Sequence, residues 1–198
     1  MNEKIILTDV DGVLVSWIDR FHEWMSKRGF EVIDESQYSI EGKFQINKEL
    51  ANNLANEFSN CEEIMTLRAF DDAKEYVTRI AQEFGYKFRV ITSLSNEVKT
   101  QRWRRINLES NFGPVFDEII CLPHGDNKHT TLLDYEKSKL IWVEDKVENA
   151  ELGSWLGLNS FLINRPYNQY RNWNSNIKFN RIDSWKEIYE YVKSCESS

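Results

Sequence analysis

The chain has 198 residues, 41% of them hydrophobic, with 7 Trp, 8 Tyr and 11 Phe. That supports one packed domain with an insertion, or two small ones, and excludes a disordered chain. The formal net charge of −7 leaves no basic footprint for a nucleic-acid duplex. An anionic substrate would need local help from a metal and a placed Lys.

Cys61, Cys121 and Cys195 are far apart and odd in number, which points to a reducing compartment without a disulfide framework. The first strand starts by residue 4, leaving no room for a signal peptide. No apolar run reaches membrane-spanning length. A soluble, cytoplasmic protein is expected.

Ile5-Ile-Leu7 is the first predicted strand and runs straight into Asp9-Val-Asp11-Gly12. Two carboxylates that close repel each other unless a cation lies between them or one holds a proton. Gly12 allows a sharp turn with the backbone near a ligand. An ordinary acidic turn has the same composition.

Trp17 to Arg28 carries Trp17, Phe21, Trp24 and Met25 at helical spacing. Residues 30–45 are mixed and polar, with Tyr38 and Phe44 as their large apolar members. Ile46 to Phe58 is a second helical pattern, and 61–70 holds a short apolar segment. Asp71 or Asp72 is placed to cap a helix that Gly85 ends. Tyr86–Ser93 is the second strand. The roughly 70 residues between the two strands far exceed the dozen a crossover needs. They predict a helical subdomain inserted at 16–85, or several helices packed on one face.

Glu97 to about Ser110 is a helix. Its Arg102, Arg104 and Arg105 read as a solvated face, with Ser95 as a candidate N-cap. Phe116–Leu122 is the third strand, 123–128 a loop, and Thr130–Ser138 a short helix. Leu140–Glu144 is the fourth strand, Asn149–Leu156 a helix, and Asn159–Ile163 the fifth strand. An Asn- and aromatic-rich loop at 165–178 either marks an interface or packs on the core. Lys178–Ile182 is a short strand, and Ser184-Trp-Lys-Glu187 is a capping box opening the last helix. Strands alternating with helices after residue 86 predict an α/β fold with a parallel, doubly wound sheet. Such sheets bind ligands at the carboxyl ends of their strands.

Three more features sit at those ends. Thr92 and Ser93 close the second strand with two hydroxyls, which serve a phosphate oxygen or start the next helix. Lys128 follows the third strand, with Lys137 and Lys139 as rivals. Glu144-Asp145 closes the fourth strand as a second acidic pair, with Asn149 four residues beyond Asp145. Cys121, His124 and His129 have poor spacing for zinc and lack a fourth ligand.

These four features, in this order, resemble the four motifs of the haloacid dehalogenase superfamily, most of whose members are magnesium-dependent phosphatases. The resemblance implies a Rossmann-like core at 1–15 and 86–198, with a cap at 16–85. It implies Asp9 as nucleophile, Asp11 as acid and base, Thr92 and Lys128 on the phosphate, and Mg2+ held by Asp9, Asp145 and the backbone carbonyl of Asp11. Asp9-Val-Asp-Gly-Val-Leu14, Trp17, Leu67-Arg-Ala-Phe-Asp-Asp-Ala73 and Arg181-Ile-Asp-Ser-Trp185 are similar to the deoxyribonucleotidase branch (5′-nucleotidase, deoxy type C). That implies a nucleoside monophosphate substrate, with Trp17 stacking on the base, Tyr38 and Phe44 behind it, and Ser93 in contact. Leu94 where the branch has Pro, Glu144 where it has Asp, and the long spacing from Lys128 to Glu144 depart from the branch pattern. The alternatives are a phosphatase for a sugar phosphate or other small phosphomonoester, and a non-catalytic module binding a phosphate ligand. A membrane or nucleic-acid partner is not expected.

Overall fold

The computed structural model describes residues 4–37, 39–123, 125–169 and 179–197. Tyr38, His124, Lys178 and the aromatics Tyr170 and Trp173 lie outside the described residues.

Six strands form one sheet: β1 (Ile5–Thr8), β2 (Lys87–Ser93), β3 (Phe116–Leu122), β4 (Ile141–Glu144), β5 (Asn159–Ile163) and β6 (Asn180–Ile182). Their spatial order is β3-β2-β1-β4-β5-β6, and every pairing is parallel. β1 and β4 are buried throughout, as strands covered on both faces must be. Ile6 faces a layer holding Val77, Ile80, Trp185 and Ile188. Ile5 and Leu7 face the opposite layer, with Trp142, Leu132 and Leu156. The chain winds outward from β1 to β3, returns, and winds the other way from β4 to β6. The order therefore reverses between β1 and β4, and a crevice opens beyond their carboxyl ends.

Between β1 and β2 lie α1 (Trp17–Ser26), α2 (Ile40–Phe44), α3 (Lys48–Ser59), a 3-10 turn at Glu62–Thr66 and α4 (Asp71–Phe84). The short α2 falls where the sequence reads only as mixed and polar. Ser39 starts it, its hydroxyl accepting from Gly42 N at 3.2 Å. Neither Asp71 nor Asp72 caps α4, which follows Phe70. The Asp72 carboxylate instead accepts from Trp185 N at 2.9 Å, at the start of the last helix.

α5 (Val98–Phe112) follows β2, α6 (His129–Leu133) follows β3, α7 (Val147–Trp155) follows β4 and α8 (Trp185–Glu196) closes the chain. α6 is shorter than its predicted nine residues. Lys137 and Lys139 take positive φ of 60° and 59°, and Lys137 N donates to Leu156 O at 2.8 Å, so the chain turns back before a helix can continue. In the capping box of α8, the Glu187 carboxylate accepts from Asp183 N and Ser184 N. α4 packs on α8, where Tyr189 donates to Glu83 at 2.6 Å and receives from Arg79 at 2.7 Å. Among the described residues, no helix is long and apolar enough to cross a membrane.

Candidate active site

The β1 and β4 ends are locked together where their acidic pairs begin. Asp9 N donates to Val143 O at 2.9 Å. Beyond Asp9 the chain folds into a tight loop in which Val10 O accepts from Val13 N, Leu14 N and Val15 N. Gly12 holds this loop at φ +81°. A Cβ there would lie 2.1 Å from Asp145 Oδ2 and 2.5 Å from the Tyr167 hydroxyl. Only glycine fits, because the backbone presses against the second acidic pair.

Lys128 stands between the two pairs. Its Nζ is 2.8 Å from Asp9 Oδ1 and 2.8 Å from Glu144 Oε2, and the residue is 2% exposed. Its rivals lie elsewhere: Lys137 is exposed beside Glu136, and Lys139 is exposed too. Glu144, whose role the sequence leaves open, is fully buried. Its Oε1 accepts from the N–H groups of Asp145 and Lys146, and its Oε2 accepts from Asn149 Nδ2 and Lys128. Four donors occupy both oxygens, so Glu144 acts on Lys128 and on the turn into α7. The Asp145 carboxylate accepts from the Tyr167 hydroxyl, and its carbonyl accepts from Asn168 Nδ2 at 2.8 Å.

One carboxylate oxygen from each of Asp9, Glu144 and Asp145 lies within 4.8 Å of the others. Among the described residues, this is the His, Cys, Asp or Glu cluster placed to hold a metal. Lys128 neutralises one of the three charges. Burial pushes Asp9 up to about 6, the charge of Glu144 adding and Lys128 opposing. Burial and then Asp9 push Asp145 up to about 6. Burial also raises Glu144. For Lys128 burial works downward, but Asp9 and Glu144 outweigh it and hold the ammonium above its ordinary range. The cluster therefore carries excess negative charge that a proton or a cation would relieve. Carboxylate oxygens are the hard donors a small divalent ion such as magnesium prefers, and with Glu144 saturated, Asp9 and Asp145 are the members of the set left to hold one.

Asp11 stands apart from the cluster. Both its carboxylate oxygens accept from Arg104 Nη2, at 2.8 and 2.7 Å. Burial raises its pKa while Arg104 opposes. Arg104 is fully buried, which corrects its reading as part of a solvated face. Arg102 and Arg105 are exposed, and of the three neighbouring arginines only Arg104 turns inward. Thr92 is 1% exposed, and its hydroxyl finds no partner among the described residues. Ser93 donates to Asp126 O at 3.1 Å. His129 tilts against the Trp155 ring and is not part of the acidic cluster.

A cavity of about 700 Å³ opens over these groups. Its floor is Asp9, Asp11, Thr92, Ser93, Lys128, Glu144 and Asp145, with Tyr167 at the side. Its roof comes from α1–α3 and the residue before α2, with Trp17, Ser39, Ile40, Lys43, Asn52 and Ser59 on the wall. Trp17 stacks on Phe21 at 4.6 Å and meets the Phe58 edge at 5.2 Å. Phe44 is 5% exposed and packs edge-on against Phe21 and His22. It is not among the residues that line the cavity. Its ring completes the aromatic core behind Trp17. Sequence reasoning placed Arg104 on a solvated face and did not single out Tyr167. Tyr167 belonged to the aromatic loop, and it packs into the site.

No family model matches the chain. An uncharacterized 32.4 kDa protein from the Gp30-rIII intergenic region of Enterobacteria phage T4 is 25% identical over 130 residues. That match spans 62% of this chain and 46% of the phage protein, so the chain covers about half of that relative's length. Solved structures share the architecture at low identity. A haloacid dehalogenase-like family hydrolase from Streptococcus pneumoniae superposes with a TM-score of 0.68 at 17% identity, over 96% of this chain and 99% of that one. The D,D-heptose 1,7-bisphosphate phosphatase from B. bronchiseptica, complexed with magnesium and phosphate, gives 0.60 at 12%, over 96% and 98%. A predicted phosphoglycolate phosphatase from Haemophilus somnus gives 0.61 at 14%, over 97% and 99%. The six-stranded parallel sheet with its helices is thus the α/β, Rossmann-like fold of haloacid dehalogenase-like hydrolases.

Proposed function

We propose that the protein is a phosphomonoesterase of the haloacid dehalogenase superfamily, working through an aspartyl-phosphate on Asp9 with magnesium bound nearby. One observation carries the reading. Asp9, Lys128 and Asp145 converge, buried, at the point where the strand order reverses, under a cavity large enough for a small phosphate ester.

Asp9 attacks phosphorus in line, splitting one difficult displacement into two easier ones. Lys128, already at Asp9, offsets charge on the transferring group. The unpartnered Thr92 hydroxyl donates to a phosphate oxygen, which satisfies a donor otherwise orphaned. Asp11 protonates the leaving oxygen and then activates the water that hydrolyses the intermediate. Asp9, Asp145 and the backbone carbonyl of Asp11 would hold the metal, which when bound supplies charge stabilisation and orientation of the phosphoryl group. Glu144 holds Lys128.

The insertion at 16–85 serves as a cap, with α1–α3 as the cover over the cavity and α4 on the core side against α8. The substrate is a nucleoside monophosphate, with Trp17 presented on the cavity wall to a base. A sugar phosphate is the second reading, favoured by the hydroxyl and amide groups of Ser39, Asn52 and Ser59 on the same wall.

The test is phosphate release from ribo- and deoxynucleotides, sugar phosphates and an aryl phosphate, with magnesium and with a chelator. Magnesium-dependent release that Asp9→Asn abolishes is expected. Full activity of Asp9→Asn would overturn the mechanism. Release from sugar phosphates alone would decide for the second reading. Ligand binding without turnover of any substrate would indicate a binding module instead.

A further inference from the structure

α5 turns a polar stripe inward. Thr100, Arg104, Asn107 and Asn111 recur at spacings of four, three and four residues, which places them on one face. Thr100 Oγ1 donates to Asn60 Oδ1 at 2.9 Å. Asn107 Nδ2 donates to Leu67 O at 2.8 Å and Met65 O at 3.2 Å. Asn111 Nδ2 donates to Leu67 O at 3.1 Å. The stripe thus ties α5 to 60–67, the segment returning from α3 towards the core. Arg104, in its middle, reaches past that segment to Asp11.

Arg104 is an expensive residue to keep there. It is fully buried, its Nη2 holds both Asp11 oxygens, and its Nε and Nη1 find no hydrogen-bond partner among the described residues. Apolar side chains of similar size in place of the whole Arg104–Asp11 pair would serve stability as well as or better than a pair with an incompletely satisfied guanidinium. Stability alone therefore does not account for it, and the group it touches is the one assigned the proton transfers. Holding both oxygens through one nitrogen fixes the direction in which the carboxyl group points. One oxygen can then carry the proton while the other keeps its bond to Nη2.

From this contact, and resting on the phosphatase reading above, we infer that Arg104 is a positioning residue that aims Asp11 at the leaving oxygen. In the step it serves, the bond from Asp9 to phosphorus forms and the bond from phosphorus to the departing alcohol breaks. The Asp11 proton moves to the alcohol oxygen.

The test exploits leaving-group chemistry. A 4-nitrophenolate leaves without a proton, whereas an alkoxide needs one. The ratio kcat/KM, which reports the steps up to departure, is compared for 4-nitrophenyl phosphate and the best alkyl phosphomonoester of the panel. Arg104→Met should lower the alkyl value about 10- to 100-fold and the aryl value less than about 3-fold, a share of what general acid catalysis contributes. Arg104→Lys should recover part of the loss. Asn107→Ala, in the same stripe but away from Asp11, should show no such split. Equal losses on both substrates, no loss, or the same split in Asn107→Ala would overturn the inference. If Arg104→Met does not fold, Arg104→Lys decides, a leaving-group split supporting the inference and its absence overturning it. Wild-type protein inert towards both substrates would overturn the phosphatase reading as well. An active wild type with equal losses overturns the inference alone.

Discussion

On the cavity floor, every charged side chain is held by a partner from another element. Lys128, from the loop after β3, bridges Asp9 of β1 and Glu144 of β4. Tyr167 and Asn168 reach Asp145 from beyond β5. In the roof, the wall is held by ring packing among Trp17, Phe21, Phe44 and Phe58. Directional, charge-assisted bonds fix atoms to within fractions of an ångström, as chemistry requires. Ring packing fixes shape and tolerates substitution of similar volume. Under the proposed function, the floor carries the reaction chemistry and the roof the substrate choice, and each assignment can be broken separately.

The largest effect is expected at Asp9, the proposed nucleophile. Asp9→Asn should lower kcat more than about 1,000-fold, as loss of an attacking group does elsewhere, while circular dichroism stays native. Residual activity near wild type would remove the floor from the chemistry.

Lys128→Met tests the floor as structure. It leaves Asp9 and Glu144 buried without their shared cation, and breaking a buried pair from one side costs about 3–5 kcal/mol. Urea denaturation of the metal-free protein should show that loss, and adding Glu144→Gln should return part of it. A loss under about 1 kcal/mol would mean that the bridge is not tight.

The floor should also respond to pH. The folded pKa of Asp9 and of Asp145 is pushed up to about 6, above the unfolded carboxylate value near 4. Raised carboxylates favour the neutral form, so their contribution to stability is complete below about pH 4 and is lost as pH rises through about 6. A bound cation reverses that penalty. Thermal melts with and without magnesium should therefore show an increment in Tm that is large at pH 7.5 and fades below about pH 6. Equal increments at pH 5 and 8 would contradict the charge account.

The roof should give smaller, substrate-dependent effects. Trp17→Leu should raise KM for nucleotides about tenfold, the scale of one lost base-stacking contact, while KM for a small aryl phosphate changes little. Phe44→Leu, behind the wall, should leave both KM values unchanged and cost about 1–2 kcal/mol of stability as a buried ring is trimmed. A KM effect at Phe44 matching that at Trp17 would blur the division between wall and core.

The floor was readable in the sequence because each of its residues ends an apolar strand or follows one. A strand's position in a parallel sheet fixes where its end lies. β3 and β5 matched their predicted bounds, and the order of the acidic and hydroxyl strand ends carried the resemblance. The rest depends on contacts between elements distant in sequence. Arg104 sits between two other arginines, and only the 4-3-4 spacing with Thr100, Asn107 and Asn111 hinted at an inward face. Tyr167 reaches Asp145 from a loop whose composition alone gave no direction. α2 is five residues long, too short for a periodic pattern. Asp72, adjacent to its own helix start, serves Trp185 more than a hundred residues away.

The measurement closest to the central claim is a rapid acid quench of turnover, followed by mass spectrometry of the peptide containing Asp9. The account predicts one added phosphoryl group on Asp9, present during turnover, absent with a chelator, and absent in Asp9→Asn. Turnover at full rate with the phosphoryl group on another side chain, or with none trapped at any time, would contradict it.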